Sequence, residues 1–199
     1  MKKIILILSV FALSLGLQAQ TAKQILDKTS SVLKSYSTAT ADFTASSKSG
    51  SMTGSITLQG QKFRITGAGV SIWFDGTTLW TMQNGSDEVN VTTPTSAELQ
   101  RMNPYTFLNI YKNGFDLSAK TVGNNYEVTL KAQKTVKDIT SMVVTVNKKT
   151  YLPSKVVMTT KKSSMTLTIA NLKKCKKKAD SYFKFDKKQY PKVEIIDLR

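Results

Sequence analysis

The chain contains no histidine and a single cysteine, and it sets only 13 Asp and Glu against 29 Lys and Arg. Without histidine it lacks the commonest general base, the commonest metal ligand and the base of the usual Ser and Cys triads. The lone cysteine, Cys175, has no intrachain partner, so an intramolecular disulfide is excluded. It sits within Lys173-Lys174-Cys175-Lys176-Lys177-Lys178. Flanking lysines would lower a thiol's pKa, but nothing else resembling a thiol site surrounds it. Acids are so scarce that Asp87-Glu88 is the only adjacent carboxylate pair, in a turn after Asn84-Gly85 where such residues are ordinarily solvated. Two distant carboxylates are enough for a glycosidase, so a carboxylate-dependent extracytoplasmic hydrolase is disfavoured by composition and not eliminated. A phosphate-cradling glycine loop is also missing. Gly67-Ala68-Gly69 runs into Val70-Ser71-Ile72, which is no helix start, and reads as a turn. No metal and no cofactor follow from this inventory.

Long apolar runs are equally absent. The longest, Ile4 to Leu17, has about 14 residues, short of the roughly 20 that cross a bilayer as a helix. Lys2 and Lys3 precede it and Ala19 stands before Gln20, so residues 1–19 read as a signal peptide cleaved after Ala19. An uncleaved anchor is the alternative, and no cysteine opens the mature chain to carry a lipid. Residues 20–199 are then expected to form one soluble or peripheral domain outside the cytoplasm. Losing Lys2 and Lys3 takes the net charge from +16 to +14. Such a balance points to an anionic partner. The export signal argues against nucleic acid and leaves acidic glycans or anionic lipid head groups, the latter at about 1 kcal/mol per basic residue near the surface. Lysines that merely keep a β-rich surface soluble and its edges unpaired account for the charge as well.

Between these absences the pattern is clear. From Ala22 to Tyr36, Ile25, Leu26, Val32, Leu33 and Tyr36 fall at helical spacing, opposite Lys23, Asp27, Lys28 and Lys34. Beyond Ala41 the texture changes to short stretches of Thr, Val, Ile and aromatics broken by Gly and Asn, the mark of successive antiparallel strands. Twelve are expected, connected as a meander: 40–47, 50–59, 61–66, 70–74, 78–83, 88–92, 115–122, 125–132, 141–147, 153–161, 165–173 and one near Val193. Asp75-Gly76 predicts a two-residue hairpin turn with Trp73 across from Thr78. Thr95-Ser96-Ala97-Glu98 fits a capping box and Asn103-Pro104 a second helix start. The apolar residues that follow, Leu99 and Met102, then Phe107, Leu108, Ile110 and Tyr111, predict two brief helices laid over the sheet as a cover.

Alternation places Phe63 and Ile65 on one face of their strand. In the next hairpin Trp73, Trp80 and Met82 share one face while Ile72, Phe74 and Leu79 share the other. Both faces are apolar, which a sheet open to water on one side would not need. Met142, Met158 and Met165 add adaptable side chains of the kind that suit irregular ligands. A sandwich or barrel core and a ligand cavity fit this pattern equally.

Several of these stretches together carry a resemblance. Phe63-Arg64-Ile65, Trp73-Phe74-Asp75-Gly76-Thr77-Thr78-Leu79-Trp80, Asn103-Pro104 with Phe107-Leu108, and Phe183-Lys184-Phe185-Asp186 before Pro191-Lys192-Val193 resemble the periplasmic outer-membrane lipoprotein carriers, the LolA family. Order, spacing and the leading helix agree over nearly the whole of residues 20–199. The resemblance implies a mainly β, α+β fold: an incomplete antiparallel β-barrel, a half-barrel, closed by an N-terminal helix and short lid helices. It implies a non-enzymatic, monomeric carrier that holds lipoprotein acyl chains or lipid in an apolar cavity. The cargo would come from an inner-membrane lipoprotein-releasing transporter and go to an outer-membrane acceptor. Phe63, Ile65, Trp73, Trp80 and Met82 would line the cavity, and Leu99, Met102, Phe107, Leu108 and Tyr111 would form the lid. Lys176, Lys177 and Lys178 would dock on a partner or, transiently, on an anionic membrane. A LolA-like sensor or adaptor that binds without ferrying is the alternative. The family's lid-holding arginine and the proline of its Pro-x-x-Phe are missing from Leu58-Gln59-Gly60-Gln61-Lys62-Phe63, although Lys62 and Arg64 are close by.

Overall fold

The structure is a computed structural model, and it describes residues 20–67, 69–95, 98–99, 109–136 and 138–199. It opens on one helix, α1 (Ala22–Ser35), started by Thr21. The Thr21 hydroxyl accepts the Gln24 N–H at 3.2 Å and the Gln24 side chain accepts the Thr21 N–H at 2.9 Å, a reciprocal cap that satisfies two otherwise orphaned donors. Its buried face presents Ala22, Ile25, Leu26 and Leu33.

The strands are β1 (Ala39–Ser47), β2 (Gly50–Gln59), β3 (Lys62–Gly67), β4 (Val70–Phe74), β5 (Leu79–Gln83), β6 (Glu88–Thr92), β7 (Phe115–Val122), β8 (Asn125–Ala132), β9 (Ile139–Asn147), β10 (Pro153–Thr160), β11 (Ser164–Lys174) and β12 (Glu194–Asp197). They form one sheet in the order β12-β6-β5-β4-β3-β2-β1-β11-β10-β9-β8-β7. Since β12 and β7 stand at opposite ends unpaired to each other, the sheet is curled and unclosed, the expected half-barrel. The connectivity departs from a simple meander in two places. β1 pairs antiparallel with β11, joining a β1–β6 meander to a β7–β11 meander, and β12 returns parallel to β6. Neither pairing is local, so no turn signal between neighbouring strands announces it.

The Asp75 hairpin also differs from expectation. Phe74 stands opposite Leu79 and Trp73 opposite Trp80, which makes Asp75-Gly76-Thr77-Thr78 a four-residue loop. The Asp75 carboxylate accepts the N–H groups of Thr77 at 3.0 Å and Thr78 at 2.9 Å, a side-chain mimic of a backbone turn that stabilises the longer connection. The shift is two residues, so the faces read from alternation are unchanged.

Two apolar clusters lie on the inner face. One joins α1 to Phe115, Val128, Leu130, Met142 and Val146; the other joins Ala41, Ile56, Leu58, Phe63, Phe74 and Leu79. A third, Trp73, Met82, Val89 and Val193, lies on the outer face. After β11 the chain crosses this outer face through a short 3-10 turn, Asp180–Phe183, before reaching β12. Phe185 and Tyr190 of that strap meet the Trp73 ring edge-on at 5.6 and 5.9 Å. Arg64 lies between Trp73 and Tyr182, with its guanidinium carbon 5.5 and 4.8 Å from the ring centroids.

Candidate ligand-binding face

Cross-strand register makes the inner face continuous. Phe63 opposes Phe74, Ile65 opposes Ile72, Ile56 opposes Ile65 and Ala41 opposes Ile56. On the other side of β1, Phe43 opposes Ile169 and Ala45 opposes Leu167, which itself opposes Val156. These rows then run on into the cluster beneath α1. The two ends are dry while the middle is not. Phe63 and Phe74 are essentially fully buried, but Phe43, Ala45, Val156, Met158, Leu167 and Ile169 are half-buried. An apolar face left half-open between two covered ends can accept a further apolar surface.

The residues expected in one cavity divide between two faces. Phe63 and Ile65 lie on the inner face, together with Leu99, which packs against the Phe63 cluster. Trp73, Trp80 and Met82 point to the outer face, where the C-terminal strap covers them, because residues at odd and even offsets along a strand face opposite ways. They therefore do not line the same cavity as Phe63 and Ile65. What alternation revealed as two apolar faces is one open face and one face closed by residues far away in sequence.

The expected capping box at Thr95 is formed. Glu98 accepts the Thr95 N–H at 2.8 Å, the Thr95 hydroxyl accepts the Glu98 N–H at 3.3 Å, and residues 98–99 are helical. Met102, Phe107 and Leu108, with the second helix start at Asn103-Pro104, lie outside the described residues. Tyr111 belongs to the α1 end: it is buried against Ala22, Ile25 and Leu26. Its hydroxyl donates to Asp27 at 2.6 Å, and Asp27 pairs with Lys23 at 2.7 Å. The Lys23 and Tyr111 hydrogen bonds hold the Asp27 carboxyl below its ordinary range, while burial, then Asp27 itself, pushes the Tyr111 phenol up.

Lys176 and Lys177 are exposed, on a segment that is fixed. The Gln59 amide accepts the Lys178 N–H at 2.8 Å and donates to the Lys178 carbonyl at 3.1 Å. The Lys178 ammonium lies 5.2 Å over the Tyr182 ring. Lys62 pairs with Asp180 at 2.7 Å, so it and Arg64 both serve the strap and neither stands where an inner-face lid would need a cation.

Residues missed from sequence are Phe43, Gly54 and Gly67 at the centre of the sheet. A Cβ on Gly54 would meet the Phe43 ring at 2.8 Å and the Thr66 carbonyl at 2.7 Å; on Gly67 it would meet the Gly54 Cα at 2.5 Å. These glycines let Phe43 lie close against the sheet. Isolated glycines inside strand patterns are the one signal that could have pointed there. The outer side of the same region holds an open groove of about 560 Å³, where Asp42, Thr44, Thr53, Ser55, Thr66 and Thr168 stand beside Phe43, Ala170 and the backbone of Gly54 and Gly67, so its lining mixes hydroxyls with apolar surface. Among the described residues no group of His, Cys, Asp and Glu could hold a metal ion, and no helix is long and apolar enough to cross a membrane. Asp87 and Glu88 are exposed.

A crystal structure of an uncharacterized conserved protein from Thermus thermophilus superposes with a TM-score of 0.59 at 11% identity, covering 89% of this chain and 99% of that one. A LolA superfamily protein from Nitrosomonas europaea is similar at a TM-score of 0.45 and 10% identity, covering 84% and 99%. A putative outer membrane lipoprotein-sorting protein domain from Vibrio parahaemolyticus gives 0.47 and 10%, covering 85% and 97%. No curated protein matches the sequence. The family model described as outer membrane lipoprotein carrier protein LolA matches residues 8–162, well over half of the 199 residues, and the chain belongs to that family.

Proposed function

We propose that this protein is a non-enzymatic, extracytoplasmic carrier that holds acyl chains of lipoproteins or lipids against the inner face of its sheet and moves them from inner to outer membrane. The single observation that carries the reading is the apolar middle of that face, from Phe43 and Ala45 across Leu167 and Ile169 to Val156 and Met158, half-buried between two dry ends. At about 0.8 kcal/mol per buried methylene, an acyl chain of roughly 16 carbons loses on the order of 12 kcal/mol on entering water. Unassisted passage between membranes is therefore negligible, and a carrier must offer comparable burial with ready release. An open sheet with a partial cover meets both demands better than a closed pocket.

In this reading residues 1–19 are removed on export to the periplasm and residues 20–199 work as a single free domain. The inner-membrane partner is a lipoprotein-releasing transporter and the outer-membrane partner an acceptor. Phe63, Ile65 and Leu99 belong to the lipid face, Met102, Phe107 and Leu108 to its lid, and Lys176, Lys177 and Lys178 to docking. Trp73, Trp80 and Met82 are withdrawn from the lipid face for the reason given above. Native mass spectrometry of the protein from its host is the test: co-purifying acyl species released by organic extraction are expected. A protein that stays empty when incubated with acylated lipoprotein and with phospholipid vesicles would overturn the proposal.

A further inference from the structure

On the inner face, opposed residues of five neighbouring strands form one transverse row. Leu130 of β8 stands opposite Met142 of β9, Met142 opposite Met158 of β10, and Met158 opposite Met165 of β11, whose other neighbour is Ser47 of β1. The row passes from dry to wet: Met142 is 1% exposed, Met158 and Met165 are half-buried, and Ser47 is exposed. The adjoining row, Val128, Val144, Val156, Leu167 and Ala45, ends on Met52, which is 51% exposed.

Three methionines at opposed positions are specific to this row. β9 and β10 are otherwise rich in Val and Thr, the residues that suit strands. Methionine is unbranched and polarizable, and fills irregular gaps or accepts a variable partner where β-branched side chains would fix one packing. The wet end of the row lies where three connections meet at one end of the sheet. Lys48 lies in the β1–β2 turn, Lys161 and Lys162 in the β10–β11 turn, and Lys134 and Asp138 in the β8–β9 loop, all exposed. Among the described residues of these connections, four lysines face one carboxylate, so the mouth is basic. Leu130 and Met142 at the dry end are packed under α1, and the half-open stretch from Met158 through Met165 to Ser47 spans two strand spacings of about 4.8 Å, roughly 10 Å, beside Met52 of the adjoining row.

We propose that this methionine row is a channel for a single acyl chain, entered between the β1–β2 and β10–β11 turns, and that its preferred ligand carries an anionic carboxylate head held by the lysines at the mouth. The proposal rests on the reading of the inner face as a lipid-binding face. It adds the route of the chain, the place of the head and the sign of its charge.

The test uses the protein expressed with its leader, recovered after export and labelled with ¹³C-methyl methionine. Sodium dodecanoate and dodecyltrimethylammonium are titrated below their micelle concentrations, and methyl resonances are followed. The signals of Met142, Met158, Met165 and Met52 are expected to move with dodecanoate, while Met82, on the outer face under the strap, stays fixed. Dodecanoate is expected to bind at least fivefold tighter than dodecyltrimethylammonium. The triple variant Lys48→Glu, Lys161→Glu, Lys162→Glu, changed only on exposed turns, is expected to abolish that preference. Saturable dodecanoate binding with the methionine row unmoved would overturn this inference and leave the carrier reading standing. Equal affinity for both head groups would overturn the anionic mouth. Failure of both amphiphiles to bind would count against the channel and the carrier reading together.

Discussion

Asp27 ties the helix to Tyr111, four residues before β7: it accepts from the Tyr111 hydroxyl at 2.6 Å and pairs with Lys23 at 2.7 Å. A hydrogen bond from a buried hydroxyl to a charged group contributes about 1.5–3 kcal/mol. Tyr111→Phe should lower unfolding free energy by about 2 kcal/mol in urea titrations, with the fold retained. The contribution has a pH window. Asp27 is held below its ordinary pKa of 3.8, so its share is present above that value and lost as pH falls through the lowered one. Tyr111 is raised above its ordinary 10.0, so its share is present below that value and lost as pH rises through the raised one. The stability difference between wild type and Tyr111→Phe should therefore be flat between these limits and narrow on either side; a difference constant from about pH 2 to about pH 12 would refute the latch. At the centre of the sheet, Gly54→Val should displace Phe43 and cost about 1–3 kcal/mol by overpacking. The helix was legible because Ile25, Leu26 and Leu33 recur at its period, and the Thr95 cap because Glu98 stands three residues on. The partner of Tyr111 was not, since Asp27 is 84 residues away and reads as an ordinary solvated helix position.

Among the elements, the C-terminal strap decides which apolar face is open. Phe185 and Tyr190 stack at 5.3 Å and both meet Trp73 edge-on, contacts that contribute about 0.5–1.5 kcal/mol each beyond simple burial. Phe185→Ala should cost about 2–3 kcal/mol and shift tryptophan emission to the red, because Trp73 gains water. Acyl-probe affinity should be left within about twofold. Ile65→Asp should do the reverse, weakening a fluorescent fatty-acyl probe by more than about tenfold while Trp80→Asp mainly lowers the melting temperature. If Trp80→Asp weakened the probe as much as Ile65→Asp, the division between faces would be wrong. Strand boundaries and faces could be read from the sequence because period-two alternation is local. The strap's destination could not: Phe185 and Tyr190, five residues apart, fall on no strand or helix period, and their target Trp73 is more than 100 residues upstream. Nor could the pairing of β1 with β11, which only the assembled sheet fixes.

For the molecule as a whole, β7 and β12 end the sheet among the described residues, and exposed lysines stand both at the β1–β2 and β10–β11 turns and on the segment after β11. Lys176 and Lys177 stand exposed on a segment pinned by Gln59, a fixed display of charge instead of a floppy tail. Charge reversal at Lys176 and Lys177 should reduce association with anionic vesicles, and wild-type association should fall steeply between about 0.05 and 0.5 M salt as the screening length shrinks. Unchanged association would return these lysines to a solubility role. The fold class and the existence of apolar surplus on two faces were legible in composition and alternation. Which surplus goes into packing and which is left for a ligand is a property of the assembled chain. The most direct measurement is a photoreactive fatty acid irradiated on the protein, with adducts mapped by mass spectrometry. Saturable labelling of inner-face peptides around Phe43, Ile65, Met158 and Leu167, competed by unlabelled fatty acid, is the predicted result. Labelling confined to the Trp80, Phe185 and Tyr190 region, or no competable labelling, would contradict the account.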